Sequence, residues 1–194
     1  MGEAVLKLQP LSEEAYLNHE LHSALKHEYV NGQVYALAGA ADRHNLVSGN
    51  LFFRLRGAAG VSPCRVYSSD MKVRIQSDLM SRFYYPDVMV TCDPSDTEDY
   101  FKTSPCLIAE VLSPSTRGTD RREKLLAYQS IPSLNYYLIV DPDERFVELY
   151  RFERQGDEKG WWYHEFRDNG VLKLACPKLE LSLDDIYEGL EGLS

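Results

Sequence analysis

Two carboxylates stand where a hard cation could use them. Glu110 interrupts the otherwise apolar run Cys106 to Leu112, and a lone carboxylate buried in such surroundings is costly unless a cation or hydrogen-bond donors satisfy it. Asp87 follows Pro86 at the head of Asp87-Val-Met-Val. Proline tolerates the entry of a strand and fixes the chain there, so Asp87 acquires a defined direction. Taken singly, Glu110 reads as an acid paired with an arginine or exposed at the strand end before Ser113-Pro114, and Asp87 as a turn aspartate. Taken together, at the ends of neighbouring strands, they can hold one divalent cation through oxygen. Magnesium, with manganese as a substitute, suits a site that keeps waters and accepts a phosphate oxygen.

Downstream, Asp120, Lys124 and Tyr128 are spaced four apart, which puts them on one helix face. Asp120 reads first as the helix N-cap. A helix packed back over its preceding strand could carry the Lys124 ammonium to the acids, where it would orient a water or stabilise charge on a pentacovalent phosphate; the plain alternative is a solvated lysine. Arg117, Arg121, Arg122 and Lys124 put four cations into eight residues, the footprint expected for a phosphodiester. Its rival, a solvated helix start, is weakened by the unfavourable helix dipole. Ser113, Ser115 and Thr116 could donate to phosphate but more simply shape the turn. Glu28 is a candidate third acid or a hairpin surface residue, and His44 shares a helix face with Val47 and Leu51, as a boundary histidine does. No GxGxxG, GxxxxGK[ST] or GxSxG motif occurs, which disfavours nucleotide-loop and serine-hydrolase chemistry.

The elements that must position these residues follow from period and punctuation. Ser12 caps a short helix, and Asn31-Gly32 between apolar-rich arms predicts a hairpin with Glu28 opposite Tyr35. Asp42 opens a helix to about Arg56, stopped at Gly57, with Val47, Leu51 and Leu55 as its buried stripe. Arg65 to Ser68, Met71 to Ile75, Asp87 to Thr91 and Cys106 to Leu112 read as strands, the last covered on both faces. Asp120-Arg-Arg-Glu reads as a capping box for a helix that ends near Ile131, before Pro132. Leu134 to Val140, Phe146 to Phe152 and Trp161 to Phe166 complete the sheet through turns at Pro142 to Arg145 and Gln155 to Gly160. The prediction is an α/β fold with a mixed sheet and a right-handed crossover from the Cys106 strand through the Asp120 helix to the Leu134 strand.

The 194 residues show no composition break, so one domain over 1–194 is expected; 44% are hydrophobic and 26% charged, which supports a substantial core. With 21 Lys plus Arg against 30 Asp plus Glu, the net charge is -9. That excludes a basic nucleic-acid coat while leaving room for a local basic groove. Cys64, Cys92, Cys106 and Cys176 lack any ligand spacing, so neither zinc nor a disulfide framework is expected and reduced thiols are. The first residues form no signal-like apolar region, Leu6 stands where a myristoylation signal needs Ser or Thr, and no apolar run approaches membrane-spanning length. These features predict a cytoplasmic protein with no membrane contact. Trp161, Trp162 and Tyr163 on an edge strand suggest a homodimer contact, or else cover the chain's own core.

Glu28-Tyr-Val-Asn-Gly-Gln-Val, His44, Tyr85-Pro86-Asp87-Val, Ala109-Glu110-Val-Leu-Ser-Pro-Ser-Thr116, then Asp120, Lys124, Tyr128 and Asn135-Tyr-Tyr-Leu-Ile-Val-Asp141-Pro142 together resemble the Uma-two family, whose members are similar to restriction endonucleases of the PD-(D/E)XK class. The likeness runs from about Glu14 to Phe166. It implies a restriction-endonuclease-like mixed β-sheet flanked by helices, with an N-terminal hairpin and C-terminal antiparallel strands. It also implies Asp87 as the aspartate of the Pro-Asp motif and Glu110 as the second acid, both metal ligands, with Glu28 as an early acid and His44 facing the site. The lysine usually found two residues after the second acid is Leu112 here, and the family pattern points to Lys124 instead. The expected activity is magnesium-dependent cleavage of DNA, with Arg117, Arg121 and Arg122 gripping the backbone. The rival is a catalytically silent nuclease-like fold acting as a nucleic-acid-binding or regulatory dimer, which the net charge favours.

Overall fold

A computed structural model describes residues 10–77, 80–114, 116–155 and 157–192; Ser115 and the N-terminal start considered above lie outside the described residues. Ser12 accepts a hydrogen bond from the Ala15 amide and caps α1 (Glu13–Glu20). The hairpin of β1 (His27–Val30) and β2 (Gln33–Ala36) pairs Glu28 with Tyr35 across Asn31-Gly32, both in positive φ, as a two-residue turn of this type requires. Then come α2 (Asp42–Ala59), β3 (Arg65–Ser68), β4 (Lys72–Ser77), β5 (Met80–Tyr84), β6 (Val88–Thr91), β7 (Phe101–Lys102) and β8 (Pro105–Val111). Next is α3, a helical stretch of three joined pieces, Arg117–Thr119, a π-helical Asp120–Lys124 and Leu125–Gln129. β9 (Tyr136–Asp141), β10 (Phe146–Gln155), β11 (Glu158–Arg167), β12 (Val171–Ala175), β13 (Lys178–Ser182) and α4 (Leu183–Ile186) follow.

The strands form a five-stranded sheet in the order β2-β1-β5-β4-β7, a six-stranded sheet in the order β11-β10-β9-β8-β6-β3, and the β12-β13 hairpin. β8 and β9 are parallel neighbours, and the chain crosses from one to the other through α3. β6 and β8 are antiparallel, with a register shift between Val90 and Thr91. Side chains of a strand alternate between faces, and β8 divides accordingly. Leu107, Ala109 and Val111 join one core with Val47, Leu51 and Leu55 of α2, closed by β12, β13 and α4. Ile108 and Leu112 join a second core with Val73, Tyr84, Tyr128 and Tyr137. Glu110 shares the parity of Ile108 and Leu112, so it is directed toward the second core, under α3.

Several boundaries differ from the sequence reading. α2 continues past Gly57 to Ala59 and stops where Gly60 takes φ of +46°. Asp42 is its first residue, and the N-cap is Ala41, without a side-chain bond. Asp120 is not an N-cap: the helical stretch begins at Arg117, and the Asp120 side chain is turned inward and buried. The β10–β11 pairing extends to Gln155 and Glu158, so most of the predicted Gln155 to Gly160 turn belongs to the ladder. Trp161 packs on the second core, while Tyr163 of the same edge strand is exposed.

The cysteines depart most. The structure gathers them and joins Cys64 to Cys92 and Cys106 to Cys176 as disulfides. The β3–β6 ladder pairs Arg65 with Thr91, which sets residues 64 and 92 opposite each other, a convergence that linear spacing hides. No helix among the described residues is long and apolar enough to cross a membrane.

Candidate active site

Four elements, β1, β6, β8 and α3, deliver the acids and the amine to one cleft of about 600 Å³. Asp87 stands at the entry to β6, where its Oδ2 accepts a hydrogen bond from the Val111 amide at 2.7 Å. The same oxygen lies 3.3 Å from His44 Nε2, so the neighbouring strand and α2 together fix its direction. Glu110, only 3% exposed, projects from β8; its Oε1 accepts from Tyr128 Oη at 2.7 Å and from Lys124 Nζ at 3.2 Å. Lys124 also reaches Glu28 Oε1 at 3.0 Å and Asp120 Oδ1 at 3.4 Å. Glu28 Oε1 accepts from the Tyr85 amide at 3.3 Å, which ties β1 to the residue just ahead of Pro86-Asp87.

The structure therefore brings Glu28, His44, Asp87, Glu110, Lys124 and Tyr128 together. Glu28 is buried rather than a hairpin surface residue, and Lys124 is buried rather than solvated. It does not bring in the arginines. Arg117 Nη1 pairs with Asp141 Oδ2 at 3.0 Å, and Arg121 Nε donates to Glu148 Oε1 at 2.7 Å. Arg122 lies exposed on the outer side of α3. Ser113 and Thr116 hydroxyls sit 2.9 Å apart and shape the turn while lining the cleft.

Asp120 is the site member that sequence reasoning misplaced. Its spacing to Lys124 was the available signal, but its capping-box position pointed to the helix end. The π-helical turn is the sort of irregularity often found at functional positions, and nothing in Asp120-Arg-Arg-Glu-Lys announces it.

Three carboxylates surround one ammonium, with Asp87 a fourth acid in the same cleft, and the consequences are electrostatic. Burial, reinforced by Asp120, Asp87 and Glu28, pushes the Glu110 carboxyl well above the ordinary range, against the pull of Lys124. Burial likewise raises Asp120, again opposed by Lys124. For Lys124, burial works against the charge, but Glu110, Glu28 and Asp120 outweigh it and hold the ammonium protonated far past neutrality. Burial also opposes protonation of His44, yet its hydrogen bond to Asp87 and that residue's charge raise it. Were all its acids ionised, the cleft would carry more negative charge than its own cations neutralise, which is why burial and crowding drive Glu110 and Asp120 upward. An all-oxygen donor set so rich in acids fits a hard divalent ion such as Mg²⁺ or Mn²⁺, with Asp87 and Glu110 as the residues that would hold it.

Comparison with known proteins gives matches of three kinds. The family model Uma2, described as "Putative restriction endonuclease", matches residues 13–184. Two Synechocystis sp. proteins, both named as uncharacterized, align nearly end to end. The protein slr1290 is 36% identical over 181 residues, covering 93% of each chain, and sll1609 is 34% identical over 172 residues, covering 87% of this chain and 95% of that one. Among solved structures, the crystal structure of "a putative nuclease belonging to DUF820" from Anabaena variabilis has a TM-score of 0.72 at 15% identity, covering 92% of this chain and 98% of that one. At that identity the likeness is one of fold.

Proposed function

From the premise that this chain belongs to the Uma2 family, we propose that it is a magnesium-dependent endonuclease that hydrolyses DNA phosphodiester bonds in the cleft of Asp87 and Glu110. The observation that carries this reading is the meeting of two acids from the adjoining strands β6 and β8 with the Lys124 amine from α3.

In this reading each residue has a distinct task. Asp87 and Glu110 hold the ion, and their orientations are set beforehand by the Val111 amide and His44 on one side and by Tyr128 on the other. An ion held there would make water nucleophilic near neutral pH and offset charge building on the phosphate. Lys124, protonated and clamped among carboxylates, acts as a fixed positive charge and a hydrogen-bond donor. It orients the water and the developing charge and does not accept a proton. Glu28 and Asp120 position the Lys124 ammonium.

The test is supercoiled plasmid incubated with Mg²⁺ or Mn²⁺. Wild type is expected to nick it. Glu110→Gln and Lys124→Ala should each lose about a hundredfold or more, as removal of a charge-stabilising group does. Equal nicking by all three proteins would point to a contaminating nuclease and end the enzymatic reading. A second reading is favoured by one observation: Arg117 and Arg121 are spent on Asp141 and Glu148 in a chain of net charge -9, which leaves little to grip a polyanion. On that reading the fold is catalytically silent and acts as a nucleic-acid-binding or regulatory dimer. DNA binding without cutting, by a protein that sediments as a dimer, supports it.

A further inference from the structure

All four cysteines of the chain meet at one place, remote in sequence and far from any ligand motif. Cys64 stands just before β3, Cys92 just after β6, Cys106 near the start of β8 and Cys176 in the turn between β12 and β13. Cys92 Sγ lies 3.6 Å from Cys106 Sγ and 3.4 Å from Cys176 Sγ, and the sulfurs of Cys64, Cys92 and Cys176 all lie within 4.8 Å of one another. Two independent disulfides require each sulfur to meet one partner only. Here both pairs also meet each other. Four sulfurs bound tetrahedrally to one zinc ion at about 2.3 Å stand about 3.8 Å apart, close to the 3.6 and 3.4 Å that separate Cys92 from the two sulfurs of the other pair.

The setting suits a soft metal. Cys106 belongs to the first apolar core and Cys64, Cys92 and Cys176 pack against it, and a sulfur-only donor set selects zinc over the hard ions that suit the carboxylate cleft. Cys64, Cys92 and Cys176 are partly exposed, which leaves an entry path.

We propose that the chain, while its cysteines are reduced, binds one zinc ion through Cys64, Cys92, Cys106 and Cys176 as a structural site separate from the acid cleft. Loading releases the four thiol protons and transfers no electrons. The two disulfides are what the same sulfurs form when an oxidant removes two electrons and two protons per pair, so the two states exclude each other.

The experiment is elemental analysis of the full chain purified anaerobically, without added chelator. One zinc per chain is expected, with a thiolate-to-cobalt charge-transfer spectrum and tetrahedral d–d bands after exchange with Co²⁺. Cys92→Ser and Cys176→Ser should bring zinc to background while Asp87→Asn leaves it at one per chain. If the cysteine variants fail to fold, metal content and the cobalt spectrum of the unaltered chain decide. A protein that stays zinc-free after reduction, with four thiols uncovered on denaturation and zinc supplied, overturns the proposal. So does a metal content that follows Asp87 rather than the cysteines, or iron in place of zinc.

Discussion

Lys124 makes ion pairs with three carboxylates from three different parts of the chain, and its loss should therefore cost more than any surface charge. Removing one partner of a buried ion pair strands the others; Lys124→Met is expected to lower stability by about 3–5 kcal/mol, measured by urea denaturation. Glu110→Gln should behave differently. Burial works against its charge, and Glu28 and Asp120 still answer Lys124, so stability should stay within about 1 kcal/mol of wild type or rise while nicking is lost. A loss as large as that of Lys124→Met would refute this division of roles. Residue types and spacing were enough to pick out Asp87, Glu110 and Lys124, because burying an acid in an apolar strand demands company. They were not enough for Asp120, whose inward turn depends on a π-helical segment, nor for Arg117 and Arg121, whose partners lie on β9 and β10.

Among the elements, the β1–β2 hairpin illustrates how a turn can govern the site. Gly32 has φ of +91°, and a Cβ there would run into the side chain and backbone of Pro10. Gly32→Ala should cost about 1–3 kcal/mol, read by chemical denaturation, and should depress nicking as well, since β1 carries Glu28. At the other end of the chain, Ser182 and Asp185 form a capping box on α4, and Arg54 Nη2 lies 3.2 Å from Asp185 Oδ1. The Ser182 hydroxyl holds the Asp185 carboxyl below its ordinary value, with help from the Ser182 amide and Arg54 and against burial. A carboxyl depressed in the folded state contributes stability above its unfolded pKa of about 3.9 and loses it as pH falls through the lower folded value. Thermal melts across that range should therefore show a shallower acid decline for Asp185→Asn than for wild type. Hairpin register was legible because Asn-Gly fixes it; the end of α2 was not, because Gly57 and Gly60 look alike until backbone angles distinguish them.

For the whole molecule, charge sets the terms of any encounter with nucleic acid. With the arginines of α3 largely engaged, few phosphates can be neutralised, and log affinity for a DNA duplex should fall with log salt at a slope shallower than about -4, measured by fluorescence anisotropy. A steeper slope would reveal a basic surface that the present pairing conceals. The mixed sheets and the crossover were readable from period and punctuation, whereas the meeting of four distant cysteines needed the β3–β6 register and the β12–β13 hairpin. That meeting has a reach of its own. β6 and β8 run antiparallel, so Asp87 and Glu110 lie at one end of the strand pair while Cys92 and Cys106, which the proposed zinc ion would fasten together, stand at the other, beside the register shift at Val90 and Thr91. Slippage by a single residue would swing Glu110 onto the opposite side of the sheet, among the aliphatic side chains facing α2. The sulfur fastening would thereby guard the alignment of carboxylates that it never touches.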